Sequence, residues 1–323
     1  MPRRLPLVLL LLTGFAHAAE KSNPAAKVDA AQVRQAVARS LPFIEKEGTA
    51  WMKERKCISC HHGPFLLWSH NEARRSGIAV DAKKLEAWTK QALELHLGNL
   101  KNLQDQKRGT VETTHLLLGQ PALPPADVLK KVTPILVHVQ KPEGFWKYEG
   151  QAQLRPDPEA DEAATMWAIV ALNAVEKSDP SYPERKARAL AWARKQPLKE
   201  GNESALLRLV IEKRFGDPAR VPALVKEVVA RQKPDGGWAW GKEFPTDPYA
   251  TGQSLYALGV AGVKGDDPAV QKAWRFLLER QKPDGSWYAP TKKTTRKDNP
   301  IAPYWGTTWA AIGLSRTLPD SKP

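Results

Sequence analysis

Helical periodicity dominates the chain and takes two alternating forms. In the first form, apolar residues recur on one face and charged residues cover the other, which predicts an amphipathic helix. The second form is small and apolar on all sides, which predicts a helix that is buried all round. Three amphipathic segments end in glutamine, at 128–140, 221–232 and 270–281. Each precedes an all-apolar segment, at 161–175, 249–263 and 304–318. The pattern predicts helical hairpins made of one outer and one inner helix.

A repeated turn joins the two helices of each hairpin. Its three copies read VQKPEGFW, RQKPDGGW and RQKPDGSW, at 139–146, 231–238 and 280–287. Proline ends the outer helix, and glycine supplies the positive φ that the turn needs. We therefore expect the same turn geometry in all three copies.

Weaker copies of the hairpin complete the count. Segments 30–47, 85–104 and 187–196 predict further outer helices, and an apolar segment follows each of them. Six outer and six inner helices can form a ring, and a closed ring leaves no apolar end exposed. The sequence predicts an all-α fold, an (α/α)6 toroid, that occupies residues 19–323 as a single domain.

The stretches of the form Gln-x-x-Asp-Gly-x-Trp resemble the QW repeats of squalene–hopene cyclases and related prenyltransferase-type α/α toroids. The resemblance covers almost all of residues 19–323, and it is strongest at 232–238 and 281–287. It implies that the glutamine and tryptophan of each turn brace adjacent hairpins. It does not supply an activity, because one fold serves many functions.

Cyclases of that type protonate an alkene with an aspartate in a D-x-D-D motif at the start of an inner helix. The nearest match here is EADE at 159–162, in which only Asp161 is an aspartate. Asp161 and Glu162 are therefore weak candidates for a catalytic acid. They are equally explained as acids that a helix N-terminus favours. The sequence leaves open whether the protein is an enzyme.

The N-terminus predicts export. Residues 1–18 combine two arginines, an apolar run at 5–15 and small residues before the expected cleavage after Ala18. This order is typical of a Sec-type signal peptide, and the apolar run is too short to remain as a transmembrane helix. We expect a periplasmic or secreted protein with no transmembrane segment in the mature chain.

The two cysteines of the chain lie in Cys57-Ile58-Ser59-Cys60-His61, in the turn of the first hairpin. C-x-x-C-H is the attachment pattern of haem c, in which two thiols bond the porphyrin and the histidine binds the iron. A Cys57–Cys60 disulfide and a metal clip are the alternatives. Because all turns of this kind meet at one end of a toroid, a haem here would lie at the mouth of the central cavity.

The second axial ligand of such an iron is open. His70 and His115 occupy matching positions in successive inner helices, so both are predicted to point inward. Each is also explained as a buried, hydrogen-bonded histidine. Met52 and Met166 are the available thioethers, and a five-coordinate iron needs no second ligand.

Two functional hypotheses follow. The first is an exported c-type haem protein, similar to a group of exported bacterial proteins with a cyclase-like toroid, whose haem serves electron transfer or redox chemistry. The second is a haem-free toroid, stapled by a disulfide, that binds or cyclises a lipid or terpenoid or binds a glycan. The formal net charge of +14 suits an acidic redox partner or another anionic ligand. Nucleic acid is not expected, because no basic block with interleaved aromatic residues is present.

Overall fold

The computed structural model of the chain describes residues 27–59, 61–100, 110–120, 126–148, 160–172, 181–197, 200–290 and 301–319. This part of the chain contains twelve α-helices that alternate between an outer and an inner layer. The outer helices are α1 (Ala30–Arg55), α3 (Ala82–Gly98), α5 (Ala126–Val137), α7 (Tyr182–Lys195), α9 (Val221–Ala230) and α11 (Pro268–Arg280). The inner helices are α2 (His62–Arg75), α4 (Thr110–Leu118), α6 (Ala160–Leu172), α8 (Asn202–Phe215), α10 (Pro248–Ala261) and α12 (Ala302–Thr317).

The six hairpins form a closed ring. Each inner helix packs on the next one, and the last, α12, packs on both helices of the first hairpin. The Tyr304 hydroxyl of α12 donates to the His62 carbonyl of α2 over 2.6 Å. At the other end of the same pair of helices, Arg75 donates to the Ser315 carbonyl over 3.1 Å. The all-α toroid predicted from the sequence is confirmed.

The three QW-type turns make identical hydrogen bonds. Each indole N–H donates to the carbonyl ten residues earlier, on the outer helix that the turn follows. These bonds join Trp146 to Leu136 (2.8 Å), Trp238 to Val228 (2.8 Å) and Trp287 to Leu277 (2.7 Å). Each glutamine amide donates to a carbonyl of the next outer helix. These bonds join Gln140 to Arg185 (3.1 Å), Gln232 to Ala269 (2.8 Å) and Gln281 to Ala36 (2.8 Å).

The glycine of the turn is required for two reasons. Gly236 has a φ of 88°, a left-handed conformation that side chains rarely adopt. A Cβ at Gly236 would also lie 2.6 Å from the Lys272 carbonyl of the next outer helix, which is closer than atoms tolerate. The glutamine of each turn thus braces adjacent hairpins, whereas the tryptophan indole bonds within its own hairpin.

The bond from Gln281 to Ala36 closes the ring between its last and first hairpins, so we expect Gln281→Leu to be destabilising. The substitution leaves the carbonyls of Ala36 and Gly285 without their 2.8 Å and 3.0 Å donors. The loss of these two hydrogen bonds predicts a decrease of about 1–3 kcal/mol in the free energy of unfolding, measured with urea. Gln196→Leu is the matched control, because the Gln196 amide donates within its own helix, to Trp192. Equal losses in both variants would contradict the bracing role.

Inner helices α10 and α12 approach unusually closely through glycines. A Cβ at Gly252 would collide with the Trp309 carbonyl, and one at Gly313 would collide with the Gly252 carbonyl. Seven residues after Gly252 in α10, a Cβ at Gly259 would lie 2.7 Å from the Arg316 carbonyl of α12. Any larger side chain at these positions forces the two backbones apart.

None of the described helices is both long and apolar enough to cross a membrane. The predicted signal peptide, 1–18, lies outside the described residues, so the boundary at residue 19 stays a prediction.

Candidate functional site at the mouth of the toroid

The turn between α1 and α2 lies at the end of the toroid where the inner helices begin, which we call the mouth. Its backbone is organised by Ser59, whose Oγ accepts from the N–H groups of His61 (3.2 Å) and His62 (3.0 Å). Ser59 and Lys56 both have positive φ, 51° and 52°, so the turn is tightly wound for residues with side chains. Cys57 is half-buried, and its Sγ lies 3.1 Å from the Ser59 N–H. Cys60 lies outside the described residues.

His61 is buried at the mouth. Its ring meets Trp305 of α12 edge to face, with ring centres 5.0 Å apart. Burial holds the pKa of His61 well below its usual value, and the nearby His62 and His115 lower it further. The imidazole is therefore neutral at physiological pH, which is the form that binds a metal.

His62 lies between two aromatic rings. Trp51 of α1 stacks on one face at 4.0 Å and Tyr304 of α12 on the other at 4.5 Å, measured between ring centres. Burial lowers the pKa of His62 to about 4, so this ring is also neutral. The sequence analysis did not identify this stack, because its members come from three different helices.

His115 faces the lumen, as predicted. Its ring lies 5.1 Å from Phe65 and 5.8 Å from Trp167, between ring centres. It is close enough to His61 to lower the pKa of that residue. The structure thus brings His61 and His115 to the same region of the lumen.

His70 does not face the lumen, which corrects the orientation expected from the sequence. Its Nδ1 bonds to the Leu66 carbonyl over 2.8 Å, and its Nε2 lies 3.5 Å from a Glu45 carboxylate oxygen. Its ring packs edge to face on Trp88 of α3 at 5.3 Å. His70 therefore packs against the outer helices, and the structure does not bring it to the mouth.

Asp161 and Glu162, the weak candidates for a catalytic acid, both have structural partners. Asp161 accepts from the Tyr148 N–H over 2.7 Å, which fixes the chain before α6. Buried Glu162 accepts from Ser204 over 2.8 Å and from Arg208 over 3.2 Å, which joins α6 to α8. Both carboxylates therefore have a structural role in joining parts of the fold.

Below the mouth, aromatic side chains that the sequence analysis did not assign fill the lumen. Ring centres within this group lie 5.2–6.4 Å apart. Its members are Phe65, Trp68, Trp167, Tyr256 and Trp309, all at most 7% exposed. The cavity that Trp167, Tyr256 and Trp309 help to line measures about 10 Å³, which is room for one water molecule. At this level the lumen is a packed core.

Polar groups line the mouth above this core. Glu203 accepts from the Trp167 indole over 2.9 Å and from the Gln253 amide over 3.3 Å. Glu112 lies in the first turn of α4, one turn before His115, and its Oε2 is shielded from solvent with no hydrogen-bond partner among the described residues. Burial raises the pKa of Glu112 to about 7. The mouth therefore combines aromatic faces, neutral imidazoles and a carboxyl group that holds its proton near neutral pH.

The ligand chemistry of the mouth can be compared with that of metal sites. No cluster of three or more His, Cys, Asp or Glu side chains that could hold a bare metal ion occurs among the described residues. A haem, by contrast, brings four nitrogen ligands of its own and needs one or two from the protein. A neutral buried imidazole next to a thiol-bearing turn, with an apolar aromatic wall around it, fits that need.

Comparisons with known proteins identify the fold. No protein-family model and no curated protein matches the chain. Among solved structures, it is similar to the type II terpene cyclase MstE from Scytonema, with a TM-score of 0.56 and 12% identity over 89% of this chain and 98% of the cyclase. It is also similar to a possible member of the GH105 family from Salmonella enterica, with a TM-score of 0.57 and 10% identity over 95% of this chain and 98% of that one. At these identities the likeness establishes a toroid fold and no activity.

Proposed function

We propose that this protein is an exported c-type haem protein built on an α/α toroid. Cys57 and Cys60 would bond the haem, and His61 would be its proximal iron ligand. The observation that carries the proposal is the neutral, buried imidazole of His61 directly after the C-x-x-C turn, with His115 close by in the lumen. When bound, haem supplies an iron that exchanges single electrons.

The surroundings of His61 suit this role. Trp305 shields His61 from water at the mouth, and Phe65 lies beneath, against His115. An apolar, water-poor wall stabilises an iron–imidazole bond and influences its reduction potential. Electron transfer to a redox partner of acidic surface, or redox chemistry on a small molecule at the mouth, would use the same site.

A second candidate is a haem-free toroid with a Cys57–Cys60 disulfide, and the fold similarity favours it. A second structure of MstE contains its substrate, geranylgeranyl dihydroxybenzoate. This chain is similar to that structure with a TM-score of 0.54 and 14% identity, over 89% of this chain and 97% of the cyclase. A lipid or glycan would then occupy the mouth. The aromatic filling of the lumen and the partners of Asp161 and Glu162 weigh against a cyclisation reaction inside it.

Absorbance separates the two candidates. We expect the full chain, exported in a host with a haem c maturation system, to be red and to give a pyridine haemochrome spectrum of covalent haem c. Its mass would exceed that of the polypeptide by one haem. A colourless product with the polypeptide mass, less two hydrogens for a disulfide, would support the second candidate instead.

The haem protein also allows a test of the distal ligand. We expect His115→Ala to convert a six-coordinate, low-spin spectrum to a high-spin one, because the iron loses its second nitrogen. His138→Ala is the control, since His138 is exposed on the outer layer. A low-spin spectrum that survives His115→Ala would remove His115 from the iron.

A further inference from the structure

The stack of Trp51, His62 and Tyr304 is unusually regular. The rings of Trp51 and His62 are inclined by only 7°, and those of His62 and Tyr304 by 19°. The three residues belong to α1, α2 and α12, so the stack joins the first hairpin to the last helix of the ring. Aromatic contacts of this kind each add about 0.5–1.5 kcal/mol beyond the burial of area.

Hydrogen bonds fix His62 from three further directions. Its carbonyl accepts from the Tyr304 hydroxyl over 2.6 Å. Its N–H donates to Ser59 Oγ over 3.0 Å, and its Nδ1 lies 3.2 Å from the same oxygen. Side chain, N–H and carbonyl of His62, the first residue of α2, are thus all held.

The residue that this arrangement orients is His61. A planar peptide group joins the two histidines, so a fixed His62 N–H fixes the position of the His61 Cα, and the His61 carbonyl is itself held by the Phe65 N–H over 3.2 Å. The Ser59 Oγ also accepts from the His61 N–H over 3.2 Å, which ties both residues to one atom. The two imidazoles lie 4.5 Å apart, between ring centres.

We propose that Trp51, His62 and Tyr304 form a clamp that positions the His61 imidazole for the iron, with Ser59 as its anchor. The inference rests on the proposed haem function and deepens it by naming the residues that orient the proximal ligand. None of the three is proposed as an iron ligand, so they would be positioning residues. Their effect is on the orientation of the axial ring and, through it, on the electronic properties of the haem.

Two substitutions test the clamp without removing the stack. Tyr304→Phe keeps the ring and deletes the hydroxyl that binds the His62 carbonyl. His62→Phe keeps a ring between Trp51 and Tyr304 and the backbone bond to Ser59, but deletes the contact of the imidazole Nδ1 with Ser59 Oγ. We expect both variants to carry covalent haem in wild-type yield. We also expect shifted electron paramagnetic resonance g values and a shifted midpoint potential. Tyr182→Phe is the matched control, because Tyr182 is a buried tyrosine of α7 and should change neither quantity.

The outcomes separate this proposal from the haem assignment. Covalent haem in all variants with g values and potential unchanged would overturn the clamp and leave the haem function standing. Absence of haem from the wild-type protein would overturn both. If Tyr304→Phe lowers the melting temperature so far that haem is lost, the test of the clamp is made with His62→Phe alone. Shifts in that variant, together with their absence in Tyr182→Phe, support the clamp.

Discussion

Replacing Cys57 and Cys60 together by alanine is expected to abolish covalent haem while the toroid still folds. In thioether formation the cysteine S–H adds across a porphyrin vinyl group: sulfur bonds one carbon, and hydrogen goes to the other. Each bond needs its own sulfur, so single variants should keep one thioether and shift the haemochrome maximum. The turn itself is held by Ser59 and by burial of Ile58, which both remain. Far-ultraviolet circular dichroism should therefore match the wild type.

His61→Ala separates ligation from attachment. Both thiols remain, so mass spectrometry should find haem on the chain, but the proximal nitrogen is absent and the absorbance should become that of a weakly ligated iron. Thiol titration of the wild-type protein tests the alternative, a Cys57–Cys60 disulfide. If it contains no haem and its two cysteines react only after reduction, the disulfide interpretation replaces the haem one.

Gly252→Ala is expected to cause a large loss of stability, although it adds only one methyl group. The new Cβ meets the Trp309 carbonyl, and backbone cannot turn aside as a flexible side chain can. We expect α10 and α12 to separate, at a cost of about 3 kcal/mol or more in the free energy of unfolding. Gly313→Ala should cost a similar amount, since its Cβ would meet Gly252 on the same contact.

Urea unfolding followed by circular dichroism measures this effect. Gly98→Ala is the matched control: Gly98 also lies in a helix, and a Cβ there would meet no atom within 4 Å. Alanine at Gly98 should be neutral, or stabilising by up to about 1 kcal/mol, because glycine is the poorer helix former. Similar stabilities for Gly252→Ala and Gly98→Ala would show that the close contact between α10 and α12 does not limit the size of the side chain at Gly252.

The fold could be predicted because short, contiguous segments of the sequence determine its helices and turns. Each QW-type turn contains its own proline, glycine and tryptophan, and the helical periodicity on either side is long enough to identify without tertiary context. Helix ends were less accurate: α1 continues to Arg55, beyond the predicted 30–47, because Lys56 in the left-handed conformation is what ends it. A lysine in the sequence gives no indication of a left-handed conformation.

The site was predictable only in part, for a geometric reason. The Cys57–His61 motif is contiguous, so the sequence reveals it directly. The direction of a side chain on a helix, however, changes by about 100° per residue, so a register error of one position turns an inward residue outward. Such an error accounts for the wrong orientation predicted for His70, which packs on Trp88 of an outer helix. An inward-facing residue on the same helix as His70 is Phe65, which contacts His115. The stack of Trp51, His62 and Tyr304 joins distant segments and has no local signature.

The contacts that close the ring also have a consequence for how the protein acquires its structure. They join residues 242 to 245 positions apart: Tyr304 with His62, and Gln281 with Ala36. Contacts of such long sequence separation slow folding, since much chain entropy is lost before they form. The first hairpin, made first, cannot complete its packing until the last helix arrives. A nascent chain would therefore carry an unfinished N-terminal hairpin, with apolar surface exposed to chaperones, for almost the whole of its synthesis.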